Sequence, residues 1–186
     1  PRLLKLPVVP NQFILILEAI GNDTRMLDVG ANDRRLLRLV NEVHGRVYYK
    51  SIDIDTEFPH DYYAFEEVAE RFNLIACLDV VEHLSVEEAF KIMGELYSLL
   101  EEGGTVFVST PNVHHPSWYR RDCTHQTPFH YNELAGILLR SGFKDLEIFR
   151  VGELDLKGKI AYFFYKPLLK MLDMDYATSI IIKGKK

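Results

Sequence analysis

With 186 residues, 47% of them hydrophobic and 26% charged, the chain has the make-up of a globular protein and is long enough to bury a core as one domain over 1–186. A net charge of −5, with no Lys/Arg block beyond two or three residues, argues against a protein that grips long nucleic acid along a basic stripe. No apolar run approaches the ~20 residues that span a bilayer, and Pro1-Arg-Leu-Leu-Lys5 leads into no uninterrupted apolar core, so neither a transmembrane segment nor a signal peptide is expected.

The chain starts at Pro rather than Met, so a preceding piece is expected. Asn11–Ile20 is the first periodic segment, a helix carrying Phe13, Ile14, Leu17 and Ile20 and closed by Gly21-Asn22-Asp23. Arg25–Val29 reads as a short buried strand. Leu36, Leu37, Leu39, Val40 and Val43 mark one face of a helix that Gly45 ends, and Arg46–Ile52 is a second strand. Asp55–Tyr63 is turn-like, and Phe65–Arg71 reads as a short helix. Phe72–Leu78 is apolar without alternation, as in a strand covered on both faces.

Ser85 with Glu88 makes a capping box for a helix to Leu100. Thr105–Ser109 is a strand cut off by Pro111. A helix over Asn132–Ser141 ends at Gly142, and Phe143–Val151 is a strand. Ile160–Leu172 is an amphipathic helix bent or begun at Pro167, the core of a helical insertion (157–173), and Tyr176–Lys183 is the last strand. The two cysteines, Cys77 and Cys123, have neither CxxC nor zinc spacing, which fits a reducing, cytoplasmic setting.

Alternating strands and helices imply an α/β fold: a Rossmann-like, doubly wound, mostly parallel sheet with an antiparallel C-terminal edge pair. Ligands of such sheets sit at the carboxyl ends of the strands. Here those ends are Asp28–Gly30, Asp53, Leu78–Asp79 and Thr110–Asn112. Met26-Leu-Asp-Val-Gly-Ala-Asn-Asp33 has the form of a strand, a sharp glycine turn and a helix start, which suits a nucleotide-type cofactor. Asp53, ending the second strand, can accept hydrogen bonds from both hydroxyls of a ribose. The glycine pattern lacks the spacing a nicotinamide dinucleotide's pyrophosphate needs.

From Arg25 to Lys185 the sequence resembles the class I S-adenosylmethionine-dependent methyltransferases. The resemblance rests on Met26–Asp33, Ile52-Asp53-Ile54, Asp79-Val-Val-Glu-His-Leu84, and Gly103-Gly104 followed by Thr110-Pro-Asn112. It implies S-adenosylmethionine as cofactor. Gly30, Ala31, Asn32 and Asp33 would wrap its methionine part, and Asp28 would support that loop or reach the amino group. Asp53, with Ile54 beside it, would take the ribose, and Leu78 and Asp79 would lie near the amino or sulfonium end. Where the family commonly has a last loop glycine, this chain has Arg34, a residue ill suited to a left-handed turn. Either the turn shifts, or Arg34 points away, or the site is degenerate.

Methyl transfer to a hydroxyl needs an aligned nucleophile and a base, and histidine is a natural base near neutral pH. His114, His115, His125 and His130 crowd the segment 112–131, which reads as a substrate lid carrying Trp118, Tyr119, Arg120, Arg121 and Tyr131. His83 and His125 are the candidate catalytic bases. Asp79, Glu82 and His83 fall at i, i+3 and i+4. With His125 they resemble the metal site of the small-RNA 3′-end 2′-O-methyltransferases. The basic surface for RNA is not apparent, and no metal is assigned. Arg121-Asp-Cys-Thr-His125, Pro128-Phe-His130, Glu133-Leu134 and Gly142-Phe143 resemble methyltransferases associated with polysaccharide and glycan biosynthesis. That resemblance implies a small-molecule or glycan hydroxyl as acceptor. The rival readings are a metal-assisted RNA 2′-O-methyltransferase and a catalytically silent binding domain. The 160–172 helix packs over the sheet edge, forms a dimer surface or makes peripheral membrane contact, and the oligomeric state is left open.

Overall fold

The computed structural model describes residues 3–186; the start read from Pro1 and Arg2 lies outside them. The apolar runs become β1 (Val8–Val9), β2 (Arg25–Val29), β3 (Tyr48–Ile52), β4 (Phe72–Leu78), β5 (Leu100–Pro111), β6 (Lys144–Val151) and β7 (Ser179–Lys185). They form one sheet in the order β1-β6-β7-β5-β4-β2-β3. β7 runs antiparallel to both β5 and β6, and the other pairings are parallel. The antiparallel strands therefore sit one place in from the edge, which β1 closes beside β6. Two residues are too few to show a period-2 pattern, so this strand has no sequence signal of its own.

The helices are α1 (Gln12–Ala19), α2 (Arg35–His44), α3 (Val86–Leu99), α4 (Tyr131–Arg140) and α5 (Leu156–Met171). The Ser85–Glu88 capping box of α3 is formed. Phe65–Arg71 yields only a 3-10 turn at Phe65–Glu67. Beyond it, the Glu70 carboxylate accepts hydrogen bonds from Tyr48 and Tyr62 and pairs with Arg25, and these tertiary contacts hold the segment out of a helix. α5 begins earlier than its apolar spacing suggests, because the Asp155 side chain caps it by accepting from Gly158 N at 2.7 Å.

The strands bury both faces. Leu27, Ile75, Cys77, Val106, Val108, Ile180 and Ile182 point to the side of α3 and α4. Their neighbours Met26, Leu74, Ala76, Phe107 and Ile181 meet Ile16 of α1 and Leu36 and Val40 of α2. Successive residues of a strand point to opposite faces, so such a sheet needs unbroken apolar runs, as these strands supply. The chain leaves β2 for β3 on one side and then returns to β4 on the other. A crevice must open between the carboxyl ends of β2 and β4.

Candidate active site

Gly30 turns the chain at the end of β2 with φ 71°, and both its N–H and that of Ala31 donate to Ile52 O. A Cβ at this position would collide with the Val80 side chain across the crevice, so glycine serves both the turn and the close approach. Asn32, Arg34 and Asp79 also have positive φ, a conformation Asn and Asp tolerate but which costs Arg34 roughly 1–2 kcal/mol. Asp145 and Asp173 share that conformation elsewhere, but three of the five lie around this crevice. Asp79 is held in it by Ser109, whose carbonyl and hydroxyl accept from Asp79 N, and the Ser109 hydroxyl donates to Asp79 Oδ1 at 2.9 Å.

A cavity of 490 Å³ fills the crevice, with Gly30, Asn32, Asp53, Ile54, Asp79 and Val80 on its walls. Asp53 Oδ2 accepts from Asn32 N at 2.8 Å and Oδ1 from Asp55 N at 2.9 Å, leaving each oxygen a further lone pair. Ile54 is 91% exposed on the rim. Tyr63, Phe65, Lys91 and Ile92 complete the far wall, and sequence reasoning missed them. The run Tyr62-Tyr63-Ala64-Phe65, set shortly after the strand-end acid, was the available signal.

Four residues expected to contact the cofactor, three at this loop and Leu78 at the end of β4, do not line the cavity. Asp28 is buried in β2 and accepts from the Tyr49 hydroxyl; burial pushes its carboxyl up to about 7. Ala31 is buried. Asp33 turns outward to pair with Arg38 at 2.6 Å, and Leu78 packs against the core on the α1–α2 side. Arg34 takes the left-handed conformation after all, but its guanidinium leaves the crevice. It donates to Ser51 Oγ and pairs with Asp61 at 2.8 Å, so the departure from the family glycine does not plug the groove.

A second cavity of 620 Å³ lies beyond, with Gln12, Arg35, Glu82, Trp118, Arg121 and His125 on its walls. Asp79 and His83 line both cavities. Gln12, from the start of α1, donates to Asp79 Oδ2 at 2.9 Å. No motif in the sequence singles out Gln12, because the contact spans 67 residues.

The histidine-rich segment divides by hydrogen bonding. His115 Nδ1 accepts from Trp118 N, and His130 Nδ1 accepts from Asn132 N as the cap of α4, so both build local turns. His114 is tied to Asp173 through its backbone carbonyl and carboxylate. His125 reaches the second cavity, with its ring centroid 4.9 Å from that of His83. Its Nδ1 meets the Tyr119 carbonyl at 2.8 Å. A carbonyl only accepts, so Nδ1 carries the proton and the neutral ring keeps its lone pair on Nε2. The same holds for His83. Thr124 donates its hydroxyl proton to Asp122 at 2.6 Å, so its oxygen can only accept from His83 Nδ1 at 2.9 Å. Both imidazoles thus present Nε2 as the basic atom.

Their separation is fixed by the backbone. Glu82 O accepts from Gln126 N and Thr127 N, His83 O from Gln126 Nε2, and Leu84 O from Thr127 Oγ1. The base of the segment is anchored where Asn112 and Arg150 converge on the buried Asp175. Thr110 and Asn112 are buried in that framework; of this strand end, Pro111 reaches the cavity.

Glu82, His83 and His125 each bring a ligand atom within 4.8 Å of the others. Asp79 is outside this group, its carboxylate taken by Gln12 and Ser109. Glu82 is buried, and its Oε2 has no hydrogen-bond partner among the described residues. Burial first, then the Asp79 charge, pushes its carboxyl up to about 8.

Residues 8–148 match a protein family described as a methyltransferase domain. The chain belongs to that family. No curated protein matches the sequence. Among solved structures, an S-adenosylmethionine-dependent methyltransferase from Archaeoglobus fulgidus superposes with a TM-score of 0.77 at 18% identity, over 94% of this chain and 91% of that one. The N-methyltransferase NodS from Bradyrhizobium japonicum, in complex with S-adenosyl-L-homocysteine, gives 0.62 at 12%, over 94% and 84%. Phosphoethanolamine N-methyltransferase 2 of Haemonchus contortus, in complex with S-adenosyl-L-methionine, gives 0.64 at 16%, over 94% of this chain but 52% of that protein. This methyltransferase domain shares their fold. No helix among its described residues is long and apolar enough to cross a membrane.

Proposed function

We propose that this methyltransferase takes S-adenosylmethionine in the 490 Å³ groove and methylates a hydroxyl of a small molecule or glycan held in the 620 Å³ cavity. One observation carries the reading: the two cavities meet at Asp79 and His83, where a methyl donor and its acceptor must touch. The groove residues fit an adenosyl ligand. Gly30 brings bare backbone to the groove wall, Asp53 keeps lone pairs for the ribose diol, and Ile54, Tyr63 and Phe65 offer apolar surface to a flat base. S-adenosylmethionine, when bound, supplies the electrophilic methyl group. His83 or His125 would take the acceptor's proton on Nε2, with Nδ1 of each ring already committed to Thr124 or Tyr119. The loop 112–131 would cover the acceptor.

Titration calorimetry of the chain with S-adenosylmethionine and S-adenosylhomocysteine tests the first half. Binding no tighter than millimolar would leave the catalytically silent reading standing. Methyl transfer to a panel of hydroxylated acceptors tests the second half. Two fold relatives are N-methyltransferases by name, so amines belong in the panel.

The cluster of Glu82, His83 and His125 supports a second reading, in which these residues hold a divalent ion that acidifies the acceptor hydroxyl. Full activity in excess chelator would remove it. The acidic chain gives no support to RNA as the acceptor of that reaction.

A further inference from the structure

α5 buries none of its residues, although eight large apolar side chains lie between Leu156 and Leu172. Phe163, Met171 and Leu156 are each about three-quarters exposed. The helix is seated on the body by Gly158, Tyr162 and Leu169, which are half-buried, and the Tyr162 ring lies 4.8 Å from that of Tyr176. At 3.6 residues per turn, Leu156, Ile160, Phe163, Pro167 and Met171 then fall on the opposite, outward arc. Lys159, Lys166 and Lys170 line one flank of that arc, and Lys157 lies on the other. No acidic residue occurs between Asp155 and Asp173, and none of the four lysines enters an ion pair among the described residues. A concentrated cationic, apolar helix on a chain of net charge −5 requires a specific partner.

We infer that α5 is a docking helix for an anionic lipid bilayer, lying in the plane of the interface. Its apolar arc enters the acyl boundary, and its lysines extend along the helix to the phosphate headgroups. At 16 residues it is too short to span, which suits an in-plane seat. A second copy of the chain is the weaker occupant. Two such helices packed antiparallel on their apolar arcs would set the two three-lysine flanks side by side, like charge against like. The proposal stands on α5 alone and is independent of the methyl-transfer reading. It also has a spatial consequence: Lys166, Leu169 and Lys170 line a 670 Å³ cavity with His114 and His130, so the bilayer would lie next to the root of loop 112–131.

The test is flotation of the purified chain with vesicles of phosphatidylcholine alone or phosphatidylcholine with phosphatidylserine. Flotation with the mixed vesicles only, reversed by high salt, is the expected result. Lys166→Gln/Lys170→Gln should weaken partition about thirtyfold. Phe163→Glu/Met171→Glu should abolish it with the circular dichroism spectrum unchanged. The idea fails if the chain floats with neither vesicle or equally with both. It fails too if sedimentation equilibrium finds a dimer that the Phe163/Met171 variant dissociates.

Discussion

The two cavities that meet at Asp79 and His83 are built by different forces. One side of the first is made of strand ends, placed by the ladder: Gly30 hangs on Ile52 O, and Asp53 is clasped by Asn32. In the second, Gln12 and Arg35 are joined by Trp118, Arg121 and His125 from a segment with little regular structure, placed by long-range polar contacts to Glu82, His83, Leu84 and the buried Asp175. On the proposed reading, the difference teaches that cofactor geometry would rest mainly on the sheet, whereas acceptor geometry would depend also on a loop docked onto it. The loop side should therefore tolerate change without loss of the cofactor side.

The sharpest way to break this division is to remove a base. His83→Ala and His125→Ala should each lower methyl-transfer turnover by about 10²–10⁴-fold where that residue is the base. Affinity for S-adenosylhomocysteine should stay within about twofold for His125→Ala, whose ring lines only the second cavity. A comparable loss of cofactor affinity in that variant would erase the distinction.

Asp53→Ala makes the reverse cut. Losing two charge-assisted hydrogen bonds should weaken S-adenosylhomocysteine binding by about a hundredfold or more in calorimetry.

Below the groove, Asp28 reports on its floor. Its folded pKa of about 7 lies above the ordinary carboxylate value, so it stabilises the fold fully at low pH and that stability is lost as pH rises through about 7. Asp28→Asn should leave urea stability unchanged near pH 4 and raise it near pH 8 by about 2–4 kcal/mol. Equal stability of the two proteins at both pH values would show that Asp28 is not held as described.

The smallest effect is expected at Thr124, whose hydroxyl oxygen accepts from His83 Nδ1. Thr124→Val should cost about tenfold or less in turnover and shift the pH profile, with cofactor affinity unchanged.

Much of this was legible in the sequence because it is local. The unbroken apolar runs at Arg25–Val29 and Phe72–Leu78 became β2 and β4 with those bounds, and the Ser85–Glu88 capping box set the start of α3. Gly30 and Asp53 could be placed from strand ends alone. Leu78 and Asp33 could not be sorted from their neighbours, since a turn's side-chain directions follow from φ values such as those of Asn32 and Arg34. Of the four histidines in one segment, the sequence singled out His125 but gave no part to His114, His115 or His130. Which of them reaches the cavity was decided by backbone amides and carbonyls many residues away, and so was the part played by Gln12.

The three consecutive carbonyls of Glu82, His83 and Leu84 act as a peg board for Gln126 and Thr127. The spacing of His83 and His125 is thereby set by Gln126 and Thr127, and by the Tyr119 carbonyl on His125 Nδ1, without help from residues 115–118. Evolution, or a designer, could lengthen, shorten or rewrite that stretch to admit a bulkier or differently shaped molecule. The imidazole pair would keep its place.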